Sequence, residues 1–177
     1  MLVSLQRRVE RMERQRAALL LEVAALSPAQ LRFHPAPDSW CPLDVVEHLV
    51  RVEEATLRRA AERPRARSLA QAVRASAALA LMTVASHGGA RVKAPTRMVL
   101  PEGGLDLSAL AARWDAIRGT LREVLEGLAP GEASRPLLRH PRVGWLSTAQ
   151  SLVFMELHIA HHVRQIERIR RAAGYPG

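Results

Sequence analysis

Cysteine, lysine and aromatic residues are scarce in this chain, and each scarcity excludes a class of protein. Among its 177 residues Cys41 is the one cysteine, so no disulfide bond can form within the chain. Aromatic residues make up 3% of the sequence, whereas hydrophobic residues, mostly alanine and leucine, make up 48%. A β-sandwich normally uses many aromatic and β-branched residues, so this composition favours an all-α protein. The length is that of a single domain, which we assign to residues 1–177.

Long hydrophobic runs are also missing. No apolar stretch reaches the roughly 18 residues that a membrane-spanning helix needs. The first residues, from Met1 to Arg8, are charged almost at once, unlike the hydrophobic region of a signal peptide. We therefore expect a cytoplasmic protein without membrane contact, and a single cysteine agrees with a reducing compartment.

The basic charge is large but scattered. The formal net charge is +9, and Lys93 is the one lysine among 26 basic residues. The arginines extend from Arg7 to Arg171 among 17 acidic residues, without interleaved aromatic residues for base stacking. We expect no sequence-specific nucleic-acid binding. The alternative that the charge leaves open is a basic, stress-associated interaction protein.

The spacing of apolar residues predicts four long helices. They span about residues 5–26, 42–63, 108–128 and 147–172, and Pro42 occupies the first position of the second helix. The alanine-rich segment from Ser68 to Ser86, which ends before Gly88-Gly89, is predicted as an additional short helix or an irregular segment. The connection from Glu132 to Leu146 is predicted as a loop.

Three of the seven histidines lie in one apolar-periodic segment of the last helix. At about 100° per residue, His158 and His162 lie about 40° apart on the side of Ile159 and Ile166, and His161 lies on its flank. Side chains four residues apart can converge on one cation. The alternative is a pair of core histidines that bind backbone carbonyls, carboxylates or water.

His48 is the candidate for a third ligand, because it lies at the edge of the apolar stripe of the second helix. The other histidines are expected in loops or at the surface, since His34 and His140 precede prolines and His87 precedes two glycines. Three neutral imidazoles leave coordination positions open, as catalytic metal sites do and structural sites do not.

The order of the motifs along the chain resembles that of the DinB-like superfamily. The resemblance extends from about Leu20 to Ile169 and is closest to the branch with the signature HxxRHxxQI, in which His161 takes a position often held by arginine. The motifs that carry it are Trp40, Glu47-His48-Leu49, Lys93-Ala94-Pro95, Pro101-Glu102-Gly103-Gly104, His140-Pro141 and His158-x3-His162-x2-Gln165-Ile166.

The resemblance implies a four-helix bundle that binds a divalent metal, nickel, zinc or a similar ion, through His48, His158 and His162. Assigned members of such a family are metal-dependent transferases and isomerases that use low-molecular-weight thiols such as bacillithiol or mycothiol. A thiol-dependent transferase or a hydrolase acting on a small molecule is therefore implied, and we expect a homodimer. The alternative is a non-catalytic bundle whose histidines are structural or bind metal adventitiously.

Auxiliary roles follow for three polar neighbours. The metal would lower the pKa of a bound water or thiol, so no side chain is assigned as the nucleophile. Gln165 is expected either to orient a ligand or donate to His158, or simply to stabilise the helix surface. His161 and Glu47 are candidates to contact the ligand residues without binding the metal themselves. The alternative for Glu47 is a solvated side chain.

Cys41 lies two turns before His48, too far along the helix to be a ligand. We expect an ordinary buried thiol; the alternative is a thiol activated at a helix N-terminus. Trp40 and Trp145 either plug the end of the bundle or form the wall of a pocket mouth.

Overall fold

The computed structural model describes residues 3–60, 66–87, 99–129, 131–140 and 144–177. Predicted features that lie outside these residues are Pro64, Gly88-Gly89, Lys93-Ala94-Pro95 and Pro141. Within them the chain forms a short 3-10 turn at Glu132–Ser134, and its helices and strands are α1 (Val3–Ala24), α2 (Pro28–Leu31), α3 (Pro42–Ala60), α4 (Leu69–His87), α5 (Leu107–Glu126), β1 (Pro136–His140), β2 (Gly144–Ser147) and α6 (Thr148–Arg170).

Four of the long helices, α1, α3, α5 and α6, form the bundle. Helix α6 packs against both α1 and α3, and α5 packs against α3 and α1. The expected additional segment is α4, a full helix of 19 residues that packs outside against α6 and β2. The all-α four-helix-bundle prediction is therefore confirmed, and the extra segment is longer and more regular than a short helix.

Side-chain caps fix where the two histidine-bearing helices begin. At α6, the Ser147 hydroxyl accepts from the backbone N–H of Gln150 and the Gln150 side chain accepts from that of Ser147, a reciprocal capping box. At α3, the Asp44 carboxylate accepts from the N–H of Cys41 at 3.0 Å, and the N–H of Asp44 lies 3.5 Å from the Cys41 sulfur. These caps define the first turn of each of the two helices.

The connection before α6 is not the loop that the sequence predicts. Strands β1 and β2 pair antiparallel, with an irregularity between Pro136 and Leu138. Leu137, Leu138 and Leu146 are buried, because the hairpin packs against α3, α4 and α6. Apolar runs of two or three residues are too short to show a strand period, which is why the sequence reasoning missed them.

A buried ion pair joins three helices at the boundary of two apolar clusters. On α5, Ile117 belongs to one cluster and Leu121 to the other, and Arg118 lies between them. Arg118 donates to Glu53 of α3 at 2.7 Å and to Glu13 of α1 at 3.3 Å. The second oxygen of Glu53 accepts from the indole N–H at 2.9 Å, so this carboxylate is fully partnered by its neighbours, Arg118 and Trp114.

None of the helices in the described ranges is both long and apolar enough to cross a membrane. Helix α4 exposes the large apolar residues Leu69, Val73 and Leu81. The expected homodimer stays a prediction.

Replacement of Arg118 by alanine should strongly destabilise the fold, because it leaves the Glu53 charge buried without its cation. Urea denaturation should show a loss of about 3–5 kcal/mol in the free energy of unfolding. The control is Arg58→Ala, since Arg58 is exposed and pairs with Glu54 four residues away. The control should change stability by about 0.5 kcal/mol or less. An Arg118→Ala loss as small as that of the control would contradict this role.

Candidate metal centre

The three histidines singled out by helical phase converge between α3 and α6. The Nε2 atom of His158 lies 3.2 Å from that of His48 and 3.0 Å from that of His162. One ring nitrogen of each lies within 4.8 Å of the others. His48 is 4% exposed and His162 5% exposed, whereas His158 is partly exposed. Residues 110 positions apart in the chain thus form one cluster.

Hydrogen bonds on the far side of two rings fix their tautomers. The Nδ1 atom of His48 lies 2.6 Å from the carbonyl oxygen of Val99, and the Nδ1 atom of His162 lies 2.8 Å from the Gln165 side-chain oxygen. An amide oxygen accepts but does not donate, so both Nδ1 atoms carry the hydrogen. In a neutral imidazole this leaves a lone pair on Nε2. Both lone pairs face His158.

The number and spacing of the nitrogen atoms show whether the cluster suits a metal ion. The Nε2 atom of His158 carries at most one hydrogen when the ring is neutral, so it cannot satisfy both neighbours. A divalent cation would accept all three nitrogens at once. Ligands at about 2.1 Å from one ion lie about 3.0–3.4 Å apart in tetrahedral or octahedral geometry. The two observed separations of 3.0 and 3.2 Å fall in this range, so the donor set fits a divalent metal.

Electrostatics keep the three rings neutral. Burial lowers the pKa of His48, and it lowers the pKa values of His158 and His162 further. The neighbouring imidazoles contribute in the same direction, because each protonated ring would repel the next. The rings are therefore available as ligands at neutral pH without losing a proton.

Aromatic side chains support the histidines from two sides. The Trp40 ring lies 4.7 Å from the His48 ring, centroid to centroid, and stacks on His162 at 6.2 Å. Phe154 stacks on His158 at 5.4 Å. Of the two readings for Trp40, the structure places it at the wall of the site. Trp145 lies in β2, where its carbonyl oxygen accepts from Arg67.

The auxiliary residues differ in part from expectation. Glu47 is 4% exposed, so the solvated alternative is wrong, and its carboxylate binds the backbone of the loop that contains Val99. Gln165 accepts from His162 through its side-chain oxygen, so the contact that the structure shows is with His162 and not with the predicted His158. His161 lies on the flank, as expected, with its ring 5.0 Å from that of His162 and perpendicular to it.

Sequence reasoning missed two contributors. His140 was expected in a surface loop, but it ends β1, is partly buried, and its ring packs against Phe154 at 5.2 Å. Electrostatic repulsion between the two imidazoles also helps to lower the pKa of His158. The His140-Pro141 motif was its one signal. Val99 acts through its backbone carbonyl oxygen, and the type of side chain does not predict such a contact.

A second group with ligand-type side chains, His34, Cys41 and Asp44, lies at the start of α3. Its atoms already have partners: Cys41 and Asp44 cap the helix, and His34 contacts the carbonyl oxygen of Ser39 at 2.7 Å. The positive end of the helix dipole also disfavours a cation there. Burial raises the pKa of the Cys41 thiol to about 11, so it is a buried, protonated thiol and not an activated one.

With fold and geometry in place, comparison with known proteins decides the family. The family model of the DinB superfamily matches residues 11–166. The chain belongs to the DinB superfamily. The expected resemblance is thereby confirmed, and the match includes all three converging histidines of this DinB protein. No curated protein matches the chain.

Two solved structures share the fold of this DinB protein. TT2238, described as a four-helix bundle protein, is 22% identical with a TM-score of 0.57, and the match covers 93% of this chain and 98% of that one. YfiT from Bacillus subtilis, described as a probable metal-dependent hydrolase with an unusual four-helix bundle topology, is 15% identical with a TM-score of 0.58. That match covers 97% of this chain and 89% of YfiT. At such identities both show the fold alone.

The lowered histidine pKa values predict how the stability of metal-free protein depends on pH. The folded pKa values lie below the ordinary 6.5, so the unfolded chain binds more protons in the window between them. The contribution of these three rings to the free energy of unfolding is therefore fully present above about pH 6.5. It is lost as the pH falls toward the pKa values of the folded protein.

Chemical denaturation of chelator-treated protein at about pH 7.5 and about pH 5.5 checks this. His158→Gln should reduce the difference in stability between the two pH values, because it removes one of the rings whose pKa is lowered in the folded protein. Leu21→Gln, at a residue that is 76% exposed and has no titratable group, is the control and should leave the difference unchanged. Equal pH dependence in wild type and His158→Gln would show that this ring is not held neutral by the fold.

Proposed function

We propose that this DinB protein is a metal-dependent enzyme in which His48, His158 and His162 hold one divalent cation, with nickel and zinc as the leading candidates. The observation that carries the proposal is the orientation of the rings. Two Nε2 lone pairs face a third imidazole that can satisfy only one of them. If these histidines served for packing alone, the described side chains would leave one of the two buried acceptors without a donor, which is costly.

The chain's own residues hold and shield the ligand nitrogens. Val99 and Gln165 keep two rings in the tautomer that presents Nε2, and Trp40 and Phe154 cover them from the sides. When bound, the cation supplies Lewis acidity toward a substrate oxygen or sulfur. His158 is the partly exposed residue of the three, so we place the approach of a small molecule beside it.

Two reaction classes are compatible with this site, hydrolysis of a small molecule and transfer to or from a low-molecular-weight thiol. The description of YfiT as a probable metal-dependent hydrolase favours the first. If thiol transfer occurs, the thiol must come from a cofactor, because burial holds the pKa of the Cys41 thiol at about 11. Cys41 therefore does not serve as the nucleophile in either class.

Metal content separates the enzyme from a non-catalytic bundle. Protein purified without a histidine tag, loaded with nickel or zinc and then desalted, should retain close to one ion per chain. Free metal at about one hundred times its dissociation constant should stabilise the fold by about 2.7 kcal/mol. His162→Ala should lose both effects, whereas its neighbour substitution His161→Ala, on the flank, should keep them. Wild-type protein that neither retains nor is stabilised by either metal would overturn the proposal.

Reaction class is tested with the same samples. Metal-loaded protein, metal-free protein and His162→Ala are assayed for hydrolysis of ester and amide model compounds and for conjugation of thiols to electrophiles. We expect one of the two activities, dependent on metal and absent in His162→Ala. Equal rates in all three samples would show that the site does not catalyse either reaction.

A further inference from the structure

Two consecutive residues of α3 hold the same short loop. The His48 ring donates from Nδ1 to the carbonyl oxygen of Val99 at 2.6 Å. The Glu47 carboxylate accepts from the backbone N–H groups of Glu102 and Gly103 at 2.9 and 3.0 Å, one on each oxygen. The carbonyl group that contacts the His48 ring thus lies three and four residues before the two amides that Glu47 holds, in one segment of the chain.

The Glu47 carboxylate is well placed to fix this segment. It is 4% exposed and accepts two hydrogen bonds as a charged group, which are stronger than neutral ones. Arg51, one turn later, compensates the charge, with a guanidinium nitrogen 3.6 Å from Glu47 and another bonded to the Glu102 side chain. A buried charge with these partners holds its geometry because any displacement leaves it unsatisfied.

The backbone between Val99 and Gly103 is restricted in conformation, so fixing residues 102 and 103 also restricts the position of the Val99 carbonyl group. Pro101 lies between the held amides and Val99, and its ring fixes the φ angle of the backbone there. Gly103 has a φ angle of 74°, a conformation that favours glycine, and a Cβ atom at this position would meet nothing within 4 Å. Glycine is therefore needed for the backbone turn rather than for space, and the turn allows residues 102 and 103 to donate side by side to Glu47.

We propose that Glu47 is a positioning residue for the metal centre. By holding the backbone of residues 102 and 103, it keeps the Val99 carbonyl oxygen against Nδ1 of His48. This contact fixes both the tautomer and the orientation of the His48 ring, so that Nε2 points at the other two histidines. The metal-binding part of this inference rests on the proposed function; the part that concerns the tautomer of His48 does not.

The variant Glu47→Gln tests the inference. Its side-chain nitrogen cannot accept from a backbone N–H, so one of the two loop contacts is lost while size and shape are kept. We expect the dissociation constant for zinc or nickel to rise on the order of tenfold, as is usual when the groups that orient a ligand are disturbed. Affinity is measured by competition with a chromophoric chelator, at a temperature where wild type and variant are both fully folded.

The matched control is Glu53→Gln. Glu53 is a second buried carboxylate on α3, but its partners are Trp114 and Arg118, which do not belong to the loop. We expect this variant to lose stability while it binds metal within about twofold of wild type. If Glu47 and Glu53 merely stabilised the fold, both variants would change stability and neither would change affinity.

Imidazole nitrogen-15 NMR of the metal-free proteins provides a readout that does not depend on metal. Wild-type His48 should show the tautomer with hydrogen on Nδ1, and Glu47→Gln should show a mixture of both tautomers. If wild-type protein binds no metal, the proposed function fails, and the tautomer of His48 still decides the role of Glu47. An unchanged tautomer in Glu47→Gln would overturn the inference, as would metal affinity within about twofold of a metal-binding wild type.

If Glu47→Gln does not fold, Glu47→Asp takes its place in both measurements. The shorter side chain keeps the charge but cannot reach both backbone amides from the same helix position. We expect a weaker metal affinity than that of wild type and a partly mixed His48 tautomer. Wild-type behaviour in both measurements would overturn the inference.

Discussion

Three imidazole rings that face one another inside a helical bundle impose the main constraint on this structure. Each ring is neutral because burial lowers its pKa, and two rings direct lone pairs at the third. Such an arrangement is unfavourable unless a cation occupies its centre or the fold holds the rings in place. The packing of Trp40 and Phe154 against the rings, and the loop at Val99, act on the orientation of these rings.

The two helices that carry the converging histidines could be predicted because their signals are local. Pro42 and Ser147 mark where α3 and α6 begin, and helical phase places His158 and His162 on one face. His48 followed from the same argument on another helix. The structure brings all three together, although sequence reasoning gave no distance between α3 and α6.

The missed features depend on contacts that no local pattern encodes. The hairpin of β1 and β2 is stabilised by packing of three leucines against neighbouring helices, and its apolar runs are too short to show a period. The partner of Gln165 depends on its side-chain rotamer. The Val99 carbonyl oxygen is part of the backbone, so residue type says nothing about its role.

The buried carboxylates of α3 show how one helix serves both the site and the fold. Glu47 binds the backbone of the loop beside the histidines, and Glu53, six positions later, binds Trp114 and Arg118 at the boundary of the two core clusters. Both acids are accompanied by arginines, Arg51 and Arg118, which compensate the buried negative charge.

X-ray absorption spectroscopy of the zinc-loaded protein tests the central claim most directly, because it identifies the donor atoms around the ion. The account predicts nitrogen ligands at about 2.0–2.1 Å, with the multiple-scattering pattern of three imidazoles and no sulfur ligand. A sulfur ligand at about 2.3 Å would contradict it, because Cys41 at the start of α3 would then hold the metal in place of the three histidines.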